Sequence, residues 1–479
     1  MKINIYLNDM NYRYEVYQIF NIYFISTDIK FQEPFNYEVY ISEGSVACNG
    51  QGIKREYTFK EFLTKKENIR ISIFLFLKEL TGRSYPWGTL IGIRPSKIAL
   101  KLMEDHSEDE IVEYLKLHNL AREDKSRLCI KVAKAERQYV KNNKKTISIY
   151  IGMPFCPTKC LYCSFASNSI EGYKKLVDSY IDALIHELDK TLEYALDNNL
   201  EIQCVYFGGG TPTSVSEEQF EKIMKRVYEN FIDRFKVKEF TVECGRPDSI
   251  TERKLETMKK YKVQRISINP QSMNEKTLKT IGRNHTAEDV KEKLNMAREL
   301  GFDNINMDII LGLPFETLED VKHTCSEIYK LKPENITIHG LALKRGSRLY
   351  EKIINNISYK ETDQKDIIEM YNQTELLAES LNMHPYYMYR QKNMVGNMEN
   401  TGYSIPGREG VYNIQMIEES QTIIACGADG VTKVVFPDEN RLERFANLKD
   451  VKEYINRIDE TIAKKTELLN TLFKKEVEE

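Results

Sequence analysis

The chain has 479 residues, 41% of them apolar and 29% charged, and its 69 Lys and Arg against 72 Asp and Glu leave a net charge of −3. That balance lacks the basic excess of a nucleic-acid-binding surface, and the apolar share excludes a wholly disordered chain. At roughly 100–200 residues per domain, the length predicts two to four domains.

The N-terminus, MKINIYLNDMNYRYE, has no apolar core of the kind a signal peptide needs. The longest apolar run, Ile73 to Leu77, is far too short to cross a membrane. The reading is therefore a cytoplasmic chain with reduced thiols. Lys2–Leu7 alternates like a strand, and helical periodicity begins near Phe59. Pro86–Ala99 interrupts it and holds the only tryptophan, Trp87. Leu90–Ile93 is too apolar for a solvated loop, so a packed connection is expected. Residues 1–145 read as an α+β N-terminal domain, closed by the polar run Asn142, Asn143, Lys144 and Lys145.

Beyond it, short apolar runs alternate with helical segments. The runs are Ile147–Gly152, Gln203–Phe207, Lys238–Glu243, Val263–Ile268, Asn304–Ile309 and Asn335–Leu341. Leu176, Val177, Tyr180, Ile181, Leu184, Ile185 and Leu188 mark an amphipathic helix after the first run. Six βα units predict a parallel sheet, an α/β fold of partial (β/α)6 barrel type over 146–360. Residues 361–479 read as a mainly helical C-terminal unit that covers the substrate. It should start with a helix to Leu381 and lay a long ordered loop, His384 to Asn413, near the barrel. Two short apolar runs, Thr422–Ala425 and Val431–Phe436, flank a glycine-rich turn, and a charged helix begins near Leu448.

Nine cysteines in a reducing compartment point to metal or catalysis before disulfides, and an odd number cannot pair completely. Cys156, Cys160 and Cys163 follow the first barrel strand as C-x3-C-x2-C. Iron–sulfur clusters usually take four cysteines, so three suggest one iron left open to a small molecule. Structural zinc, which needs a fourth ligand, and three buried thiols are the alternatives. Cys48, Cys129, Cys204, Cys325 and Cys426 read as small core residues, and Cys244 lies close to the expected site. Gly208–Gly210 would let backbone approach a ligand closely. Glu243, Gln271, Asp308 and Ala342 fall at or just beyond carboxyl ends of strands, where βα folds bind ligands.

The set resembles the radical S-adenosylmethionine (SAM) superfamily, and within it the oxygen-independent coproporphyrinogen III oxidase (dehydrogenase) family. The matching segments are YIGMPFC with Tyr150, GGGTPT (Gly208–Thr213), TVEC with Glu243, INPQS with Gln271, IGRNH with Arg283, NMDIILGLP with Asp308 and HGLAL with Ala342. The resemblance implies a 4Fe-4S cluster on Cys156, Cys160 and Cys163. It implies one SAM, or two, held by Tyr150, Gly209, Gly210, Thr211, Glu243, Gln271, Arg283, Asp308 and Ala342. Tyr150 and Glu243 carry the catalytic assignment. GIRPSKI, FTVECGRPDSI, YRQKNMVGNMENTGY and EGVYNIQMIEESQTII resemble the HemZ-type branch, so the likeness runs from about residue 86.

The activity implied is oxidative decarboxylation of two propionates of coproporphyrinogen III to vinyl groups, giving protoporphyrinogen IX in haem biosynthesis. Electrons would come from a flavodoxin- or ferredoxin-like donor, under anaerobic conditions. Phe165 stands where well-understood bacterial family members carry a fourth cysteine, as it does in haem chaperones of the family. The alternatives are therefore a haem-binding chaperone, or a radical SAM enzyme acting on another tetrapyrrole. Arg390, Lys392 and Arg94 are candidate partners for propionates. His285 and His339 receive no role.

Overall fold

The computed structural model describes residues 2–25, 27–140, 143–165, 167–355 and 362–473. Asn142 of the expected boundary run, and the expected boundary at 360/361, lie outside the described residues.

The N-terminal region opens with strands β1 (Lys2–Leu7), β2 (Asp28–Lys30), β3 (Tyr37–Ile41), β4 (Ser45–Gly50) and β5 (Ile53–Thr58). They pair in the order β2-β1-β3-β4-β5, with β1 parallel to both its neighbours. Helices Arg13–Tyr23 and Lys65–Thr81 pack on this sheet, burying Ile5, Val16, Phe20, Val39, Val46 and Phe76. The second helix begins where Thr64 and Glu67 cap each other's backbone N–H and ends on left-handed Gly82.

Three further helices, Ser96–Leu102, Glu108–Asn119 and Glu123–Arg137, share a core with Trp87, Leu90, Ile111 and Leu115. The expected packed connection is present up to Leu90, but Ile93 is 64% exposed. Trp87 donates its indole N–H to Glu399 at 2.7 Å, and Lys125 donates to the same carboxylate at 2.8 Å. The N-terminal region is thus tied to the segment that leads into β15.

All six expected barrel strands form: β6 (Thr146–Met153), then β9 (Glu201–Gly209), β10 (Glu239–Glu243), β11 (Arg265–Ser267), β12 (Ile305–Leu311) and β13 (Asn335–Gly340). Between β6 and β9 lie the two-residue strands β7 (Phe155–Cys156) and β8 (Asn168–Ser169), and helix Val177–Asp197. The C-terminal segment adds β14 (His384–Tyr389), β15 (Asn400–Ser404), β16 (Thr422–Cys426), β17 (Val431–Phe436) and β18 (Arg441–Ala446) to the expected helices. One eleven-stranded sheet results, ordered β14-β15-β13-β12-β11-β10-β9-β6-β16-β17-β18. β16 runs parallel to β6, whereas β14, β15, β17 and β18 run antiparallel to their neighbours.

The segment His384–Asn413 is therefore not a long loop. It contains β14, β15 and the start of helix Val411–Glu418. Its turn-like residues have sheet-specific jobs. Gly402 leaves room for the Tyr387 ring, which would lie 1.9 Å from an added Cβ. Asn400 accepts the Gly340 N–H at 3.0 Å, and a bulge between Pro385 and Tyr387 breaks the alternation.

Candidate functional site

β6 delivers the chain to Pro154, and the cysteine loop leaves from β7 at the carboxyl edge of the sheet. Cys156 and Cys160 are buried and Cys163 is half-buried. The Cys156 thiol is pushed up to about 11, first by burial and then by the nearby charges of Cys163 and Cys160, with Thr211 and Arg246 opposing. Among the described residues, no three His, Cys, Asp or Glu side chains converge on a single-ion site. A cubane cluster asks for something different, because each thiolate takes its own iron. Three thiols on one short loop, with no fourth ligand converging on them among the described residues, fit that demand better than structural zinc.

The glycines at the end of β9 close against this loop. A Cβ on Gly210 would lie 2.9 Å from the Cys156 sulfur and 2.6 Å from the Phe155 carbonyl oxygen. One on Gly209, at φ +102°, would lie 2.8 Å from the Met153 oxygen and 3.3 Å from the Tyr150 hydroxyl. One on Gly208 would lie 2.7 Å from a Glu243 oxygen. Only glycine lets backbone come this near, and the Gly210 N–H donates to the Met153 carbonyl at 2.6 Å while the Gly209 N–H donates to Glu243. Thr211 donates to Cys156 at 3.5 Å.

Glu243 ends β10 and receives the Tyr206 hydroxyl. Burial, with a further push from Asp308, raises its carboxyl to about 7 against the opposing Tyr206 bond. Tyr206 stacks on Tyr412 at 4.3 Å and on Tyr150 at 6.2 Å, with interplanar angles of 19° and 17°. The rings form a wall on one side of Glu243. Tyr206 and Tyr412 were not legible as site residues. Tyr206 needed only the observation that it shares an inward face with Gly208.

Asp308 lies across the sheet on β12. Burial alone would raise it, but the His339 hydrogen bond and charge and the Asn306 amide outweigh burial and hold it below its ordinary value. Asn306 donates at 2.8 Å and the His339 ring nitrogen stands 3.7 Å away. His339 thus faces the site. His285, by contrast, is buried beside Arg283 and pushed down to about 4 by burial and that charge, which leaves it neutral at pH 7.

Gln271 adopts φ +64°, its backbone bridges to β12, and its buried side-chain oxygen has no partner. Left-handed backbone and an orphaned oxygen together are a cost that functional sites commonly carry. Arg283 donates to the Gly245 and Asn269 carbonyls at 3.0 and 2.9 Å, which places it beneath the site. Ala342 is half-buried and bridges to Met394. Cys244 is fully buried, its thiol pushed up to about 12 by burial, and Cys48, Cys129, Cys204, Cys325 and Cys426 are buried as expected.

Two candidate propionate partners are corrected. Arg390 is buried and stacked over Trp87 at 5.2 Å, and it donates to the Leu90, Met398 and Asn397 carbonyls. Arg94 donates to the Glu418 carbonyl at 2.6 Å and pairs with Glu419 at 3.1 Å. Both guanidiniums are committed to holding elements together. Lys392 is exposed. A cation that sequence reasoning missed, Lys344, lies 5.4 Å over the Phe165 ring and feels the charge of Cys163. Phe165 itself is 64% exposed.

The family model of the radical SAM superfamily matches residues 150–328. The oxygen-independent coproporphyrinogen-III oxidase-like protein HemZ of Bacillus subtilis (strain 168) is 39% identical over 439 residues, covering 89% of this chain and 87% of HemZ. The heme chaperone HemW of the same organism is 29% identical over 314 residues, covering 65% of this chain and 76% of HemW. Among solved structures, the radical SAM enzyme coproporphyrinogen III oxidase (HemN) from Escherichia coli shares the fold. Its TM-score is 0.53 at 21% identity, over 69% of this chain and 73% of that one. No helix among the described residues is long and apolar enough to cross a membrane.

Proposed function

This chain belongs to the family of oxygen-independent coproporphyrinogen-III oxidase-like radical SAM proteins, and we propose that it oxidatively decarboxylates two propionates of coproporphyrinogen III to vinyl groups. The family implies a 4Fe-4S cluster and SAM. When bound, these supply one-electron chemistry able to remove hydrogen from an unactivated carbon.

The observation that carries the reading is the convergence of Gly208–Gly210, Glu243 and the cysteine loop within a few ångströms. In the proposal, Cys156, Cys160 and Cys163 hold the cluster. The close approach of Gly209, Gly210 and Thr211 to the cysteine loop shapes the space for the carboxylate end of SAM. Glu243, poised near neutrality, takes its ammonium group. Gln271 and Asp308 offer acceptors to the nucleoside, with Arg283 supporting them from below and Ala342 leaving room for a flat base. Tyr150, Tyr206 and Tyr412 exclude water from that space. Lys344, at the open side next to Cys163, pairs with a substrate propionate.

The test is anaerobic reconstitution with iron, sulfide, SAM, a strong reductant and coproporphyrinogen III, followed by mass spectrometry. Loss of two CO2 per tetrapyrrole is expected. SAM cleavage that leaves the tetrapyrrole intact would end this reading.

A second reading, haem delivery, is favoured by the exposed Phe165 and by the likeness to HemW. It predicts stoichiometric haem binding without a vinyl product. A haem titration with no change in the Soret band removes it.

A further inference from the structure

We propose that Arg246 is a positioning residue for the cluster: it aims a charged N–H at the Cys160 sulfur and thereby raises the cluster's reduction potential. The proposal rests on the cluster assignment above and adds to it a residue that nothing in the motif set assigns.

Each cysteine of the loop has its own hydrogen-bond donor. Thr211 donates to Cys156 at 3.5 Å and Ser167 to Cys163 at 3.7 Å. Both are neutral hydroxyls. The donor to Cys160, at 3.5 Å, is the Arg246 guanidinium. Arg246 is only 3% exposed, so water does little to screen it. Arg283 lies nearby as well, but its Nη1 donates to two carbonyl oxygens and its Nη2 to the Tyr162 hydroxyl, not to a sulfur.

The guanidinium cannot turn away. Its Nε and Nη2 grip Asp248 at 2.9 and 2.7 Å. Nη2 also reaches the Thr158 hydroxyl at 3.1 Å, and Nη1 reaches the Thr158 carbonyl at 3.4 Å. Thr158 belongs to the cysteine loop, so the fork joins that loop to the segment following β10. Five N–H groups in a rigid plane make this possible; a lysine, with three donors and no fork, could not hold all five acceptor atoms. Asp248 binds the edge opposite the sulfur. The pair is neutral as a whole, but Nη1, which the carboxylate does not engage, keeps its N–H on Cys160.

Reduction adds one electron, from the reductant, and breaks no bond. The cluster becomes more negative by one charge. A positive donor fixed on one of its sulfurs stabilises that state more than the oxidised one, and hydrogen bonds to sulfur are among the known controls of cluster potential. Arg246 should therefore ease the electron's entry without touching SAM or substrate.

The experiment is an EPR-monitored dithionite titration of reconstituted protein, comparing the unaltered chain with Arg246→Gln and Arg246→Lys at equal iron content. The midpoint is expected to move to more negative potential in Arg246→Gln and by a smaller amount in Arg246→Lys, with SAM affinity within twofold of the unaltered chain. A midpoint unchanged in Arg246→Gln at full iron overturns the proposal. Where Arg246→Gln assembles no cluster, Arg246→Lys decides: a negative shift at full iron supports the assignment and an unchanged midpoint overturns it. Failure of the unaltered chain to hold a cluster overturns the cofactor reading itself, a result separable from either variant's.

Discussion

Two buried glutamates show how this molecule treats charge. Glu187, on helix Val177–Asp197, is fully buried and fully answered. It accepts from the Gly427 N–H at 2.7 Å, Asn447 at 2.8 Å, the Tyr454 hydroxyl at 2.6 Å and Lys465 at 2.5 Å. Glu243, at the carboxyl edge of the sheet, has among the described residues only the Tyr206 hydroxyl and the Gly209 N–H as donors beside a neighbouring Asp308, and it rises to about 7. The first arrangement spends every oxygen lone pair on holding the last two helices and the turn after β16 against the barrel. The second leaves a carboxylate short of donors in a place from which water is largely removed. A saturated charge is structural, whereas an unsaturated one is ready for a ligand.

The sharpest contrast between the two regions comes from removing the loop that faces Glu243. Replacing Cys156, Cys160 and Cys163 together by Ala should abolish the broad visible absorbance of the reconstituted protein, with the thermal midpoint of the apo chain nearly unchanged. Residual iron–sulfur absorbance at full intensity would place the cluster elsewhere.

Next in size is Glu187→Ala. It strands Lys465 in the interior and should cost about 3–5 kcal/mol of stability, read by urea unfolding. Glu243→Gln should cost little stability and weaken SAM binding by roughly 100-fold, about 2.7 kcal/mol, measured by equilibrium dialysis. If the two variants exchanged these phenotypes, the contrast would collapse.

The pH dependence separates them as well. The Glu243 carboxyl is near 4.5 in the unfolded chain and about 7 when folded, so the folded state keeps its proton longer. Ionising it therefore removes stability as pH rises from about 4.5 to about 7, by roughly 3 kcal/mol, after which the loss levels off. SAM binding should move the other way and strengthen as pH passes upward through 7, an increase that Glu243→Gln should lack. A flat affinity from pH 6 to 8 in the unaltered chain would show that Glu243 does not take the ammonium group.

The smallest effect is expected for Lys344→Gln. One half-exposed cation is worth about 1 kcal/mol, so the KM for the tetrapyrrole should rise roughly fivefold at unchanged SAM affinity. A KM within error of the unaltered chain's would free Lys344 of that role.

The barrel was legible because its strands are continuous apolar runs between amphipathic helices, so β6 and β9 to β13 all appear where the periodicity places them. The candidate site was suggested by Cys156, Gly208 and Glu243 at strand ends, whereas Asp308, expected at the end of its strand, lies midway along β12 because that strand runs on to Leu311. The flanks were less so. β14 and β15 are rich in Tyr, Asn and Gly and are buried on both faces, so they show no alternation, and a bulge shifts their register. Arg390 illustrates the other limit. Its charge suggested a substrate partner, but a guanidinium buried against Trp87 and three carbonyls is a fastener, and only the fold reveals which carbonyls those are. Arg246 is the mirror case, hidden among surface-like charges until the structure set it against a sulfur.

The pairing of β6 with β16 has a consequence in time. Ile147 lies opposite Thr422, and the two are about 275 residues apart in the chain. The strand that launches the cysteine loop is thus synthesised long before its outer neighbour exists. Until residue 426 has left the ribosome, β6 is an exposed edge, with its row of backbone donors and acceptors open to any other strand. A chain stopped short of β16 should collect as aggregates rather than as an empty enzyme.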